Sequence, residues 1–172
     1  MVLAGMIEGE AVLKEGILEV ARLMAVAAKT APKARGIDNI KILILDKKEE
    51  LEQLAKYMEE LADKYGAFFK RDADNVRNSD AVILIGASMI DLGLITPEDY
   101  IADINLVMTL LNLGIALGSA VKTASIHNVD NRIMYSIGYT AQKKDLMKAD
   151  IVIGVPLSAK GKSIYFDRKW PK

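Results

Sequence analysis

The sequence contains no cysteine, and that absence removes two classes at once: a disulfide-stapled domain and an iron–sulfur protein both need thiols. A single histidine, His127, leaves no ordinary structural zinc site, so neither zinc nor any other metal is expected. Charge of one sign is lacking as well. Lys and Arg total 23 against 23 Asp and Glu, and a net charge of zero gives no global attraction to nucleic acid or to an anionic membrane. Any anion site must therefore be local. The opening MVLAGMIEGEAVLKEG lacks the basic flank and apolar core of a secretory signal, which sets the expectation of a cytoplasmic protein. Glutamine is scarce, with Gln53 and Gln142 alone, beside abundant Lys, Glu, Ile and Leu; this is the bias of a heat-adapted source.

What remains is ordinary globular composition, 51% hydrophobic and 27% charged. A chain of 172 residues supports one sizeable core and not two, so residues 1–172 are read as a single domain.

The most informative stretch runs from Ile101 to Arg132. It is nearly uniformly apolar and empties into a polar cluster, and a helix apolar on all sides must lie at the centre of something. Residues 104–121 approach the ~20 apolar residues that span a bilayer. The polar residues and glycines inside the stretch, and the lack of basic flanks, favour a buried helix over a membrane span. Asn105, Thr109, Asn112, Ala116, Ser119 and Thr123 recur at steps of three and four, a narrow stripe along which a second helix or a ligand would pack. Gly114 and Gly118 permit close backbone approach, so a homodimer packed through this helix is expected.

Elsewhere the pattern alternates. Leu13, Ile17, Val20, Met24, Ala27 and Ala28 mark a face of a helix over residues 8–29, which Pro32 ends. IKILIL (40–45), DAVILIG (80–86) and DIVIGVP (150–156) read as buried strands, and residues 67–70 as a brief one. Asp46 and Glu49 look like a capping box opening an amphipathic helix that ends at Gly66. Thr96 and Pro97 fit the start of the central helix, and Asp130 the cap of a later helix over 131–146. The tail KGKSIYFDRKWPK is basic, aromatic and extended. A layered α+β or α/β domain follows, its sheet covered on both faces.

Three constellations bear on chemistry. Lys33 and Arg35 lie in the loop TAPKARGID, with Arg22 and Lys29 on the preceding helix, where they either hold an anion or complement the helix dipole. His127, Asn128, Asp130, Asn131 and Arg132 form the second. With Ser125 nearby, a triad is conceivable by residue type, but no G-x-S-x-G nucleophile motif exists, and helix capping is the better reading for Asp130. The third, PLSAKGKS, resembles a phosphate loop but has Pro156 where that motif requires glycine, which leaves Lys160 and Lys162 as phosphate contacts without an NTPase.

Two resemblances rest on these segments. TAPKARGIDNI, LGIALGSAVKTASIHNVDNRIMYSIGYTA and IVIGVPLSAKGKSIYFDR are similar to the hallmark segments of an uncharacterised prokaryotic family said to contain a ferredoxin domain. That family carries cysteine clusters where this chain, between Ala87 and Leu111, has none, so the chain resembles a cysteine-free member. More distantly, Ala31, Pro32 and Asn39 before IKILIL, the LGIALG of the long helix, and Ile153, Gly154 and Pro156 with the lysines beyond resemble flavin-dependent nitroreductases. The resemblance implies an α+β nitroreductase-like layered domain: a central mixed sheet flanked by helices, with the long central helix at a dimer interface. It also implies FMN at that interface, C-terminal tails reaching across, and oxidoreductase chemistry on a small-molecule substrate. It places Lys33, Arg35, Lys160 and Lys162 near the FMN phosphate, and Asn39 and Ser119 at the ribityl chain or ring. It assigns no catalytic residue. The Arg-Arg-Ser-x-Arg segment that holds the phosphate in those enzymes has no counterpart, and Lys33 stands where their serine would be. A non-catalytic binding or scaffold dimer that lost its redox centre is the alternative.

Overall fold

A computed structural model of the chain describes residues 9–166. Four strands, β1 (Ile40–Leu45), β2 (Ala81–Ala87), β3 (Asp130–Asn131) and β4 (Ile151–Ser158), form one sheet in the order β1-β2-β4-β3. The sheet is layered between helices as expected, but it is not mixed: β1 with β2, β2 with β4, and β3 with β4 all pair antiparallel. The runs IKILIL, AVILIG and IVIGVP are strands because apolar, β-branched side chains suit a pleated surface buried on both faces. β2 is the extreme case, with all seven residues buried.

One face of the sheet carries α1 (Gly9–Thr30) and α4 (Ile104–Ile126). Their core contains Ile17, Val20, Met24, Leu113, Ala116 and Leu117 over Ile83, Ile85 and Val155. The other face carries α2 (Lys48–Tyr65), α3 (Phe68–Arg77) and α5 (Tyr135–Lys143), packed around Leu54, Met58, Phe69, Val82, Leu84 and Ile137. Where α5 crosses β4, the backbones nearly touch. A Cβ on Gly138 would stand 1.9 Å from the Val152 carbonyl oxygen, and one on Gly154 would stand 2.1 Å from Ile137.

Several elements depart from the sequence reading. Residues 67–70 are not a strand but the start of α3, which buries Phe69, Asp72, Ala73 and Val76 at helical spacing. α2 opens two residues after Asp46: Lys47 holds the cap position and donates its N–H to Glu50, 3.4 Å away. α4 begins at Ile104, where Asp103 accepts the Leu106 N–H at 3.1 Å. Thr96 still contributes, since its hydroxyl accepts the Ile104 N–H from outside the helix. Asp130 caps nothing; it lies in β3, and α5 starts later at Tyr135. Of the basic tail, residues 167–172 lie outside the described residues.

The long helix is covered by its own chain on one side only. Thr109, Asn112, Leu113, Ala116, Leu117, Ala120 and Ala124 face inward, so the middle of the stripe of small and polar residues lies buried on the side that meets α1, while Asn105, Ser119 and Thr123 are half-buried. The opposite face, with Leu110, Leu111, Gly114, Ile115 and Gly118, is exposed. By length and composition α4 is apolar enough to cross a membrane, at mean hydropathy 1.8, and a third of that window is buried against the sheet and α1.

Candidate functional site

The loop after α1 is built by lysine and asparagine. Lys33 turns back over the end of α1 and donates to the carbonyls of Lys29 and Ala31 at 2.5 and 2.8 Å, with only 5% of its side chain exposed. Carbonyls at a helix C-terminus are orphaned acceptors at the negative end of the dipole, and an ammonium satisfies both needs. Lys29 reaches forward, to the Ile40 carbonyl at 3.0 Å and to the Asp38 carboxylate. The hydrogen bond from Lys29 holds the Asp38 carboxyl below its ordinary value, helped by the Ile40 N–H and the Lys33 charge.

Asn39 is buried beneath this turn. Its side-chain amide donates to the Ser88 carbonyl at 2.9 Å, and its side-chain oxygen accepts from Asn112 of α4 at 3.1 Å. Asn112 in turn accepts the Ala34 N–H at 2.8 Å. Arg35 has a left-handed backbone, φ 53°, which a non-glycine residue adopts only at a cost. One arm of its guanidinium donates to the Leu92 carbonyl; Asn105 accepts the Leu92 N–H at 2.9 Å. The structure thus gathers Lys33, Arg35 and Asn39 with Asn105 and Asn112 into a clasp joining the loop, α4 and the segment after β2. Lys33 and Asn39 are occupied by the scaffold. Arg35 is exposed with the rest of its fork available.

The other predicted residues are elsewhere. Ser119 is half-buried on α4, beside its exposed apolar face. Lys160 donates to the Asn78 carbonyl at 2.5 Å and lines a cleft with Lys14, so most of the length of α1, about 24 Å at 1.5 Å per residue, separates it from Lys33. Lys162 is exposed on the same segment. The six residues do not converge within one chain.

The polar cluster after α4 is a helix stop. Asn128 is left-handed at φ 54°, with Asn128 N–H bonded to Ser125 and Val129 N–H to Ala124, a Schellman arrangement. His127 caps this turn through its backbone, and its side chain is exposed. Arg132 donates to the Tyr165 carbonyl at 3.3 Å and lies over the Phe166 ring at 5.3 Å. Sequence reasoning missed Asn105 and Asn112 as clasp members, although both stood in the helical stripe.

No group of His, Cys, Asp and Glu suited to a metal ion occurs among the described residues. A ferredoxin-type cluster does not fit this chain, because the thiolates that would bind it are absent from the sequence.

The family model described as "Uncharacterized protein containing a ferredoxin domain" matches residues 102–168. A protein of Archaeoglobus fulgidus described only as uncharacterized is 42% identical over 172 aligned positions, covering 90% of this chain and 92% of that one. Solved structures with a similar fold include the hypothetical oxidoreductase YcnD from Bacillus subtilis, with TM-score 0.60 and 14% identity, covering 90% of this chain and 61% of that one. A nitroreductase family protein from Clostridium novyi gives TM-score 0.58 at 17% identity, with 94% and 79% covered. The NADPH:FMN oxidoreductase from Vibrio harveyi gives 0.59 at 13%, with 89% and 64% covered. At such identities the likeness is one of fold, and the fold is nitroreductase-like. The chain spans 61% of the length of YcnD. On the strength of the Archaeoglobus relative and the matching family model, this chain belongs to the family of uncharacterized proteins containing a ferredoxin domain, as a member without cysteine.

Proposed function

We propose that the chain is an FMN-binding, nitroreductase-like oxidoreductase that works as a homodimer packed through α4. The observation that carries this reading is the outward face of α4. Leu110, Leu111 and Ile115 are 46%, 52% and 44% exposed, and a Cβ at Gly114 or Gly118 would meet nothing within 4 Å. An apolar helical face with glycines set into it favours a closely approaching helix, and a two-fold axis lets one face serve both partners. The fold shared with an FMN oxidoreductase supports the flavin part.

In that arrangement the residues with capacity to hold the cofactor are Arg35, whose free guanidinium arm matches a phosphate; Ser119, at the edge of the exposed face; and Lys162. The bound flavin supplies hydride chemistry, while the chain binds, orients and shields it. The substrate is a small molecule of unassigned type.

Absorbance of the purified protein, measured beside its mass in solution, tests both parts. The expected result is a dimer that carries flavin or takes up added FMN, with weaker uptake in Arg35→Ala. A protein that stays monomeric, or takes up no FMN at a stoichiometric excess, overturns the reading. Lys33 and Asn39 favour a second one: both are spent on the scaffold, as in a dimer retaining the fold without a redox centre. Its signature is a stable dimer that binds no flavin.

A further inference from the structure

At one end of the sheet, the residue after β1, the residue before β2 and the segment after β4 meet the first turn of α2 and the end of α3 around a cleft of about 240 Å3. It continues into a second hollow of about 480 Å3 along the start of α1, and Lys14, Asp80 and Lys160 border both. Three lysines line the cleft from three elements: Lys14 from α1, Lys48 from α2 and Lys160 from the segment after β4, the last with one of its three N–H groups on the Asn78 carbonyl. None is ion-paired among the described residues. Arg77 also lines it but is clamped by Glu52 at 3.1 Å and Glu59 at 2.6 Å, so it forms a neutralised wall. The Glu59 carboxyl is held below its ordinary value by that contact. Two carboxylates, Asp46 and Asp80, also line it, and neither is ion-paired among the described residues.

The geometry points to a binding site for a small phosphorylated polyhydroxy compound. Converging ammonium groups repel one another and raise the local potential, which a multiply charged anion relieves. A phosphate monoester offers a charge near −2 and three acceptor oxygens, matching three separate donors better than a carboxylate does. Asp46 and Asp80 repel a bare anion and can only accept hydrogen bonds, so the part of the ligand beside them must donate through hydroxyls. The cleft alone falls short of the ~300 Å3 at which ligand pockets begin, and the adjoining hollow adds the room for a sugar phosphate. It is separated from Arg35 by most of α1, takes Lys160 away from the flavin, and is independent of the oxidoreductase reading.

Calorimetric titration of the full chain at low salt, with ribose 5-phosphate, inorganic phosphate and ribose as probes, tests the proposal. Ribose 5-phosphate binds saturably, inorganic phosphate binds more weakly and ribose does not bind. Lys48→Ala combined with Lys160→Ala weakens ribose 5-phosphate at least tenfold, while Lys64→Ala, in the last turn of α2 at the end away from the cleft, leaves it unchanged. Asp80→Asn weakens ribose 5-phosphate but not inorganic phosphate. Circular dichroism of each variant separates loss of binding from loss of fold. Absence of saturable binding, equal effects of the Lys64 variant and the paired variant, or equal affinity for sulfate would each overturn the site. Flavin uptake, measured on the same preparations, stays as in the parent whatever the result.

Discussion

Thr109 lies in the second turn of α4 with its hydroxyl fully buried and unpartnered among the described residues. One turn further on, Asn112 is equally buried but uses both ends of its amide, one on Ala34 and one on Asn39. Burial without a partner costs about 1–3 kcal/mol, whereas burial with partners is close to neutral or favourable. Thr109→Val, which keeps the branched shape and removes the unmatched oxygen, is therefore expected to stabilise the protein by about 1 kcal/mol in denaturant titrations. A loss of stability would show that the hydroxyl is satisfied by a buried water. The stripe containing both residues was visible in the sequence as a periodicity. That one of its members is bonded and the other is not depends on loop residues 34 and 39, distant in sequence, which no local pattern encodes.

Among the elements, the junction of α1 and β1 is held by charge. Lys29 and Lys33 bracket Asp38, and Lys29 also fixes the first carbonyl of β1. The Asp38 carboxyl is held below its ordinary value of 3.8, so its contribution to stability is present above that value and is lost as pH falls through the lower, folded-state value. Asp38→Asn should lower stability at neutral pH and flatten the decline below about pH 4, measured as melting temperature against pH. An unchanged acid limb would show that other carboxylates carry it.

How far each element could be read from sequence follows the strength of its signal. IKILIL and DAVILIG stood out because continuous apolar runs have one favourable environment. α3 was read as a short strand because Ala67, Phe68 and Phe69 lie together, while its helical spacing, Phe69 to Ala73 to Val76, spans charged residues. The start of α4 was placed too early because Thr96 and Pro97 make a convincing cap locally. The chain instead runs from Thr96 to Ile104 as a loop and bonds the helix from outside. Of the six expected site residues, Lys33 and Asn39 bond backbone and amide groups of their own chain, and the partners of Asn39, Ser88 and Asn112, are distant enough in sequence that no local pattern encodes them.

For the whole molecule, the homodimer proposed through the exposed apolar face of α4 predicts that stability depends on association. If two chains bury that face together, the melting temperature rises with protein concentration, because association adds a term that grows with it. Ile115→Glu, on the exposed side of the helix, should lower the melting temperature and remove its dependence on concentration, with little change in secondary structure. A parent protein whose melting temperature is the same over a hundredfold dilution would not be held together this way.

Within a single chain, β2 bears on how the layers come apart. Ala81, Ile83, Ile85 and Ala87 belong to the core beneath α1 and α4, while Val82 and Leu84 belong to the core beneath α2, α3 and α5. Adjacent side chains on one backbone serve opposite layers. Peeling away either layer would wet alternate residues of a strand that the other layer still needs dry, so the loss of one side weakens the footing of the other. The strand acts as a party wall, and the two rooms it divides stand or fall together.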